Sequence, residues 1–183
     1  MDAIKKIPTC LPGVFVLEPR VFGDERGFFL ESYNERVFSS LGINERFVQD
    51  NHSFSARGVL RGLHYQTRQV QGKLVRVVQG EILDVAVDLR RSSPTFGKWT
   101  SLHLSGDNKR MLWIPARLAH GFHVISETAH VFYKTTDYYA PEFERTLAWN
   151  DPDLNIDWEL ERDPTLSAKD QRGIPLRDAE TFE

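Results

Sequence analysis

Residues 81–90 read EILDVAVDLR, and their alternation decides the fold class. Leu83, Val85, Val87 and Leu89 fall on one side of an extended chain, while Asp84, Ala86 and Asp88 fall on the other. That period of two is the signature of a β-strand whose faces meet different environments. Working outward, similar short runs recur at GVFVLEP (13–19), GKLVRVV (72–78), WTSLHL (99–104), RMLWIP (110–115), GFHVIS (121–126) and AHVFYKTTDYY (129–139). Turn-forming segments such as SSPTFG, SGDNK and SET separate them, a spacing that predicts an all-β sandwich or barrel. Helical periodicity is weak: NERVFSSLG predicts one short helix ending at Gly42, and the Asp- and Pro-rich tail after Asn150 predicts only short helices. Small barrels and jelly rolls enclose a cavity lined by alternate strand residues, so the polar members of these strands are the candidates for a site.

The 183 residues are 40% hydrophobic and 11% aromatic, enough for one domain over residues 1–183 with a substantial core. Basic and acidic residues, 23 and 26, are interspersed and leave a net charge of −3. Such a surface offers no broad positive field for a phosphate backbone, so nucleic acid is not an expected partner. No apolar run approaches the roughly 20 residues needed to cross a bilayer, and MDAIKKIPTCLPG lacks the apolar stretch of a secretion signal. The expectation is a cytoplasmic protein without a membrane partner. Cys10 is the only cysteine, which rules out an intrachain disulfide and a zinc site built from paired CxxC motifs.

Within 59–90, His64 lies in RGLHYQ, where alternation places it with Gln66 opposite Leu63 and Tyr65. Lys73 follows nine residues later and shares a strand face with Val75 and Val77. Metal ligation at His64 calls for further imidazoles or carboxylates. The spacing of Pro115 and His120 could bring His120 to the same cavity, but two imidazoles fall short of the usual three or four ligands. His103 and His130 sit in strand-like runs as structural residues, and His123 faces away from His120. Proton transfer needs a base near neutral pKa, an acid and a cation for a developing oxyanion. His64, Tyr133 and Lys73 supply those types, and Asp84, Asp88 or Asp170 could orient the histidine. Asp170 also fits an S-x-x-D helix start beginning at Ser167, where its carboxylate would merely cap backbone N–H groups.

Eight motifs in order carry a resemblance over nearly the whole chain: FGDERG (22–27), FVQDNHS (47–53), RGLHYQ (61–66), QGKLVR (71–76), SPTFG (93–97), LWIP (112–115), AHGF (119–122) and LSAKD (166–170). Together they resemble the dTDP-4-dehydrorhamnose 3,5-epimerases. The resemblance implies a cupin-like jelly roll, a homodimer formed through exchanged N-terminal strands, and no metal or other cofactor. It implies that His64 is the general base, Asp170 its partner, Lys73 the group that stabilises an enolate, and Tyr133 the general acid. The implied substrate is dTDP-4-dehydro-6-deoxyglucose, whose C4 keto group acidifies both C3 and C5. Arg26, Glu31, Gln49, Asp50, Asn51, Arg61, His120, Glu144 and Lys169 match positions that contact the substrate, and Tyr139 matches the aromatic stacked on the base. Two local departures stand out: His123 replaces a more usual apolar residue, and the loop from Thr67 to Val70 is one residue shorter than in some relatives.

Overall fold

The computed structural model describes residues 4–183. The N-terminal strands are β1 (Ile4–Pro8), β2 (Phe15–Pro19), β3 (Val21–Asp24) and β4 (Gly27–Leu30), followed by helix α1 (Glu35–Ser40). The body continues through β5 (Gln49–Ala56), β6 (Leu60–Gln66), β7 (Lys73–Gln79), β8 (Glu81–Asp88) and β9 (Trp99–Ser105). It closes with β10 (Met111–Ile114), β11 (Leu118–Val124), β12 (Thr128–Thr135) and β13 (Glu144–Thr146). A six-stranded sheet in the order β1-β2-β10-β7-β12-β5 stacks on a five-stranded sheet in the order β13-β6-β11-β8-β9, while β3 and β4 form a separate hairpin. Every pairing between named strands is antiparallel. The all-β sandwich expected from the alternating runs is the fold observed.

Strand β8 shows why its alternation is so clean. Ile82 and Ala86 face the interior between the sheets, where they pack with Val75, Val77, Val131, Leu104, Phe122 and Val124. The other face, with Leu83, Val85, Val87 and the following Leu89, lies against a second core that also contains Leu60, Leu63 and Tyr65. Antiparallel sheets commonly leave one face to solvent; here the tail covers it, inserting Leu147, Leu154, Trp158 and Ala179. Burying a large apolar side chain contributes about 1.5–3 kcal/mol. A third cluster, on the outside of the six-stranded sheet, seats Phe38 of α1 and Ile43 against Leu17, Leu74, Met111 and Trp113.

The tail is short of regular structure, as its composition predicts, but polar contacts strap it down. It holds only short 3-10 turns at Asp170–Arg172 and Leu176–Asp178. His123, the departure noted in the sequence, donates from Nδ1 to the Trp158 carbonyl at 2.9 Å and so ties the tail to β11. His103 bridges Glu81 (2.7 Å) and Glu159 (3.0 Å), tying the tail to β8 and β9. The Tyr65 hydroxyl donates to the Glu180 carbonyl at 2.8 Å. Helix α1 starts at Asn34, whose Oδ1 accepts from the N–H groups of Arg36 and Val37, and ends before Gly42 at φ +80°. Among the described residues no helix is long and apolar enough to cross a membrane.

Candidate active site

A cavity of about 350 Å³ opens between the two sheets. Strand alternation aims side chains into it from both walls, and the register shift between β6 and β11 brings Arg61 to the same side as His64 despite its opposite parity. From the five-stranded sheet come Arg61, His64 and Gln66 of β6, with His120 and Phe122 of β11; from the six-stranded sheet come Gln49, Asn51 and Ser53 of β5, Lys73 of β7 and Tyr133 of β12. Glu144 of β13 adds to the five-stranded wall, and Tyr139 and Lys169 reach the cavity from loops beyond the strands. The histidine therefore faces the lysine and the tyrosine from the opposite sheet.

Asp170 stands behind His64 and is 3% exposed. Its Oδ1 accepts from His64 Nε2 at 2.5 Å and from the Gly62 N–H at 3.4 Å, and its Oδ2 accepts from the Ser167 hydroxyl at 2.7 Å. The capping alternative forms only in part: the Ser167 hydroxyl oxygen accepts from the Asp170 N–H at 3.2 Å, while the Asp170 carboxylate turns to His64. Of the carboxylates compatible with His64 by type, Asp88 is engaged by Arg90, Ser93 and Thr95, and Asp84 by His120. Asp84 is fully buried, and His120 Nε2 lies 2.9 and 3.0 Å from its two oxygens, a second imidazole–carboxylate pair in the same cavity. Among the described residues no cluster of three or more His, Cys, Asp or Glu side chains converges as a metal site.

Electrostatics sorts these groups by protonation state. Burial pushes the His64 pKa below its usual value; the hydrogen bond to Asp170 opposes this, but the positive charges of Lys169 and Lys73 add to it. Burial alone would raise the Asp170 carboxyl, yet its bonds from His64 and Ser167 hold it below the usual carboxylate range. The resting pair is thus a neutral imidazole on an ionised carboxylate, with Nε2–H donating and Nδ1 carrying the free lone pair. Lys73, only 8% exposed, is pushed down to about 8 by burial, against the pull of Asp84 and Glu144. Its Nζ donates to the His64 carbonyl at 3.3 Å. Burial raises the Tyr133 pKa, so its phenol keeps its proton. One wall carries a neutral base and the other a neutral acid and a cation, the parts needed to move a proton on and off carbon beside a carbonyl.

Most of the predicted binding residues share this cavity. Lys169 Nζ donates to Glu144 at 2.7 Å, and Glu144 also accepts from the Tyr139 hydroxyl at 3.0 Å. Tyr139 itself is exposed at the mouth, its backbone N–H donating to Gln49. Three predicted residues lie outside the cavity of their own chain. Asp50 points to the opposite face of β5 and pairs with Lys134, because inward residues on that strand carry odd numbers. Arg26 sits on the exposed turn between β3 and β4 and pairs with Asp24. Glu31 follows the same hairpin and accepts from Asn34. Sequence reasoning missed Asp84 as the partner of His120, and Gln66, Phe122 and Ser53 as lining. Their inward parity on alternating strands was the available clue.

Residues 8–178 match the family described as dTDP-4-dehydrorhamnose 3,5-epimerase. The chain is 61% identical over 180 residues to the dTDP-4-dehydrorhamnose 3,5-epimerase of Pseudomonas aeruginosa, covering 98% of this chain and 99% of that one. It is 54% identical to the enzyme of the same name from Shigella flexneri, covering 96% and 98%. Among solved structures, a dTDP-6-deoxy-D-glucose-3,5-epimerase from Legionella pneumophila in complex with dTDP-4-keto-L-rhamnose superposes with a TM-score of 0.95 at 51% identity, covering 97% of this chain and 95% of that one.

Proposed function

The chain belongs to the dTDP-4-dehydrorhamnose 3,5-epimerase family, and from that premise we propose how its cavity inverts C3 and C5 of dTDP-4-dehydro-6-deoxyglucose to give dTDP-4-dehydro-L-rhamnose. The observation that carries the reading is the neutral His64, backed by Asp170, facing Tyr133 and Lys73 across one cavity. His64 takes the proton from the carbon next to the C4 carbonyl, and the C–H electron pair moves into the enolate. The resulting imidazolium is stabilised by Asp170, and the enolate oxygen by the Lys73 ammonium. Tyr133 then delivers a proton to the carbon from the opposite sheet, inverting it. Both carbons flank the same carbonyl, so one set of groups serves both once the imidazolium has lost its proton to solvent and the Tyr133 phenolate has regained one. Arg61, Gln49, Asn51, His120, Glu144 and Lys169 hold the sugar and diphosphate, and Tyr139 stacks on the thymine. Arg and Lys suit the diphosphate because charge-assisted hydrogen bonds are stronger than neutral ones.

Residues 1–183 act in this reading as one domain, working as a homodimer in the cytoplasm. The single exposed cysteine, Cys10, suits a reducing compartment. The β3–β4 hairpin supports the dimer. Phe22 and Phe29, paired on one face, are 50% and 70% exposed, and Val21 and Phe28 on the other face are 43% and 58% exposed, apolar surface of the kind that marks a contact. Arg26 and Glu31 ride on that segment, outside their own cavity, and exchange of the hairpin would carry them to a second copy's site.

Deuterium uptake tests the chemistry. The protein incubated with dTDP-4-dehydro-6-deoxyglucose in heavy water should place deuterium at both C3 and C5, with and without a chelator. His64→Asn should lower the exchange by roughly 100-fold or more, the scale of a lost general base. Label at one carbon only would reduce the enzyme to a single-carbon epimerase, and unchanged exchange in the variant would remove His64 as the base.

A further inference from the structure

Strand β5 turns Gln49, Asn51, Ser53 and Ser55 toward the interior. Gln49 donates to Asn51 and accepts from the Tyr139 N–H, and the Ser55 hydroxyl accepts from Arg61 Nε at 3.0 Å. Ser53 breaks the series. It lines the cavity, yet its Oγ is buried without a hydrogen-bond partner; among the described residues only Thr181 Oγ1 shares that condition. A buried, unpaired hydroxyl destabilises a fold, and an apolar side chain of the same size would remove the penalty. The partner of Ser53 across the ladder, Val131 on β12, belongs to the apolar core and offers the hydroxyl no side-chain acceptor. Its position has a chemical context, however. Tyr133 is two residues beyond Val131 and pairs with Asn51, while Arg61 is anchored at Ser55, the next inward position on the other side.

We propose that Ser53 is a substrate-contacting residue: its hydroxyl donates a hydrogen bond to an oxygen of the bound sugar nucleotide, in the stretch of cavity between Tyr133 and Arg61. The inference rests on the epimerase reading and deepens it. The unsatisfied hydroxyl is a group prepared for the ligand, and its penalty is relieved when the cavity fills. A ligand oxygen at this place could belong to the sugar or to the diphosphate, and both would accept from Ser53.

The test is Ser53→Ala, followed by three readouts beside the parent enzyme. The melting temperature should be unchanged or higher, because the orphaned hydroxyl has gone. The kcat/KM for dTDP-4-dehydro-6-deoxyglucose should fall roughly 3- to 30-fold, the range of one lost hydrogen bond to a neutral or charged acceptor. Calorimetric binding of dTDP, which has the diphosphate but no sugar, then locates the contact: equal weakening assigns it to the diphosphate, and unchanged dTDP affinity assigns it to the sugar. Loss of melting temperature together with activity would make Ser53 structural and overturn the proposal. So would parent-like kcat/KM and dTDP affinity in a variant of an active parent. A parent with neither turnover nor dTDP binding would instead bring down the epimerase reading, and this inference with it.

Discussion

His64 and Lys73 lie near each other in the fold, and the proposed mechanism needs them in opposite protonation states. Burial helps the first and works against the second: it lowers both pKa values, favouring the neutral imidazole needed as base while loosening the proton on the ammonium needed at the enolate. The sign of the pH dependence follows. With His64 as the proposed base, kcat/KM should rise through a midpoint below about 6.5, the unperturbed histidine value. The same mechanism requires Lys73 protonated, and its pKa of about 8 should bring the rate down as pH passes that value. A bell with its alkaline limb near pH 8 is the expected profile, and a rate still level at about pH 10, where an ordinary lysine begins to titrate, would show that Lys73 keeps its proton or is not needed. The alternation around RGLHYQ is enough to separate the His64 side of the strand from the Leu63 side. It cannot choose Asp170 over Asp84 or Asp88, because the choice depends on where an irregular tail folds back, and no local pattern encodes that.

Two strands of the five-stranded sheet, β6 and β11, carry the cavity's imidazoles, and they approach closely through glycine. A Cβ added to Gly121 would stand 2.7 Å from the Arg61 carbonyl oxygen and 3.0 Å from the Gly62 Cα. These are backbone atoms that cannot rotate away. The pairing register shifts at this point, between His120 and Phe122, so His120 sits opposite His64 while Phe122 sits opposite Arg61. Gly121→Ala should therefore force the strands apart, costing about 1–3 kcal/mol by overpacking. Because the neighbours on both sides point into the cavity, the variant should also lose turnover out of proportion to its stability, measured as kcat at a temperature where it remains folded. An active Gly121→Ala with a parent-like melting temperature would mean that the close approach is not needed. The strand runs themselves were legible from period two, and α1 from its Asn34-to-Gly42 frame. The tail was not legible as a cover, since Leu154 and Trp158 are an isolated i, i+4 pair with no periodic run around them, Ala179 stands far from both, and their burial depends on meeting β8.

At the scale of the whole molecule, one chain has a complete acid–base set but leaves two of its expected substrate contacts, Arg26 and Glu31, on or beside a hairpin outside its own cavity. A hairpin of two short strands is marginal in water by itself, and exposed Phe22, Phe28 and Phe29 add an apolar surface that a second copy could bury. In a two-fold dimer, an exchanged hairpin would give each cavity an arginine from the other chain and a base from its own. That arrangement makes a prediction no monomer can satisfy. Arg26→Ala alone should weaken binding of the diphosphate, and His64→Asn alone should abolish turnover. When the two variants are unfolded together and refolded, half of the dimers are mixed, and each mixed dimer contains one site with both native residues. About a quarter of all sites should then be restored, and activity should recover to roughly that fraction of the parent. A mixture no more active than the sum of its separately refolded components would place Arg26 in the service of its own chain, or of none.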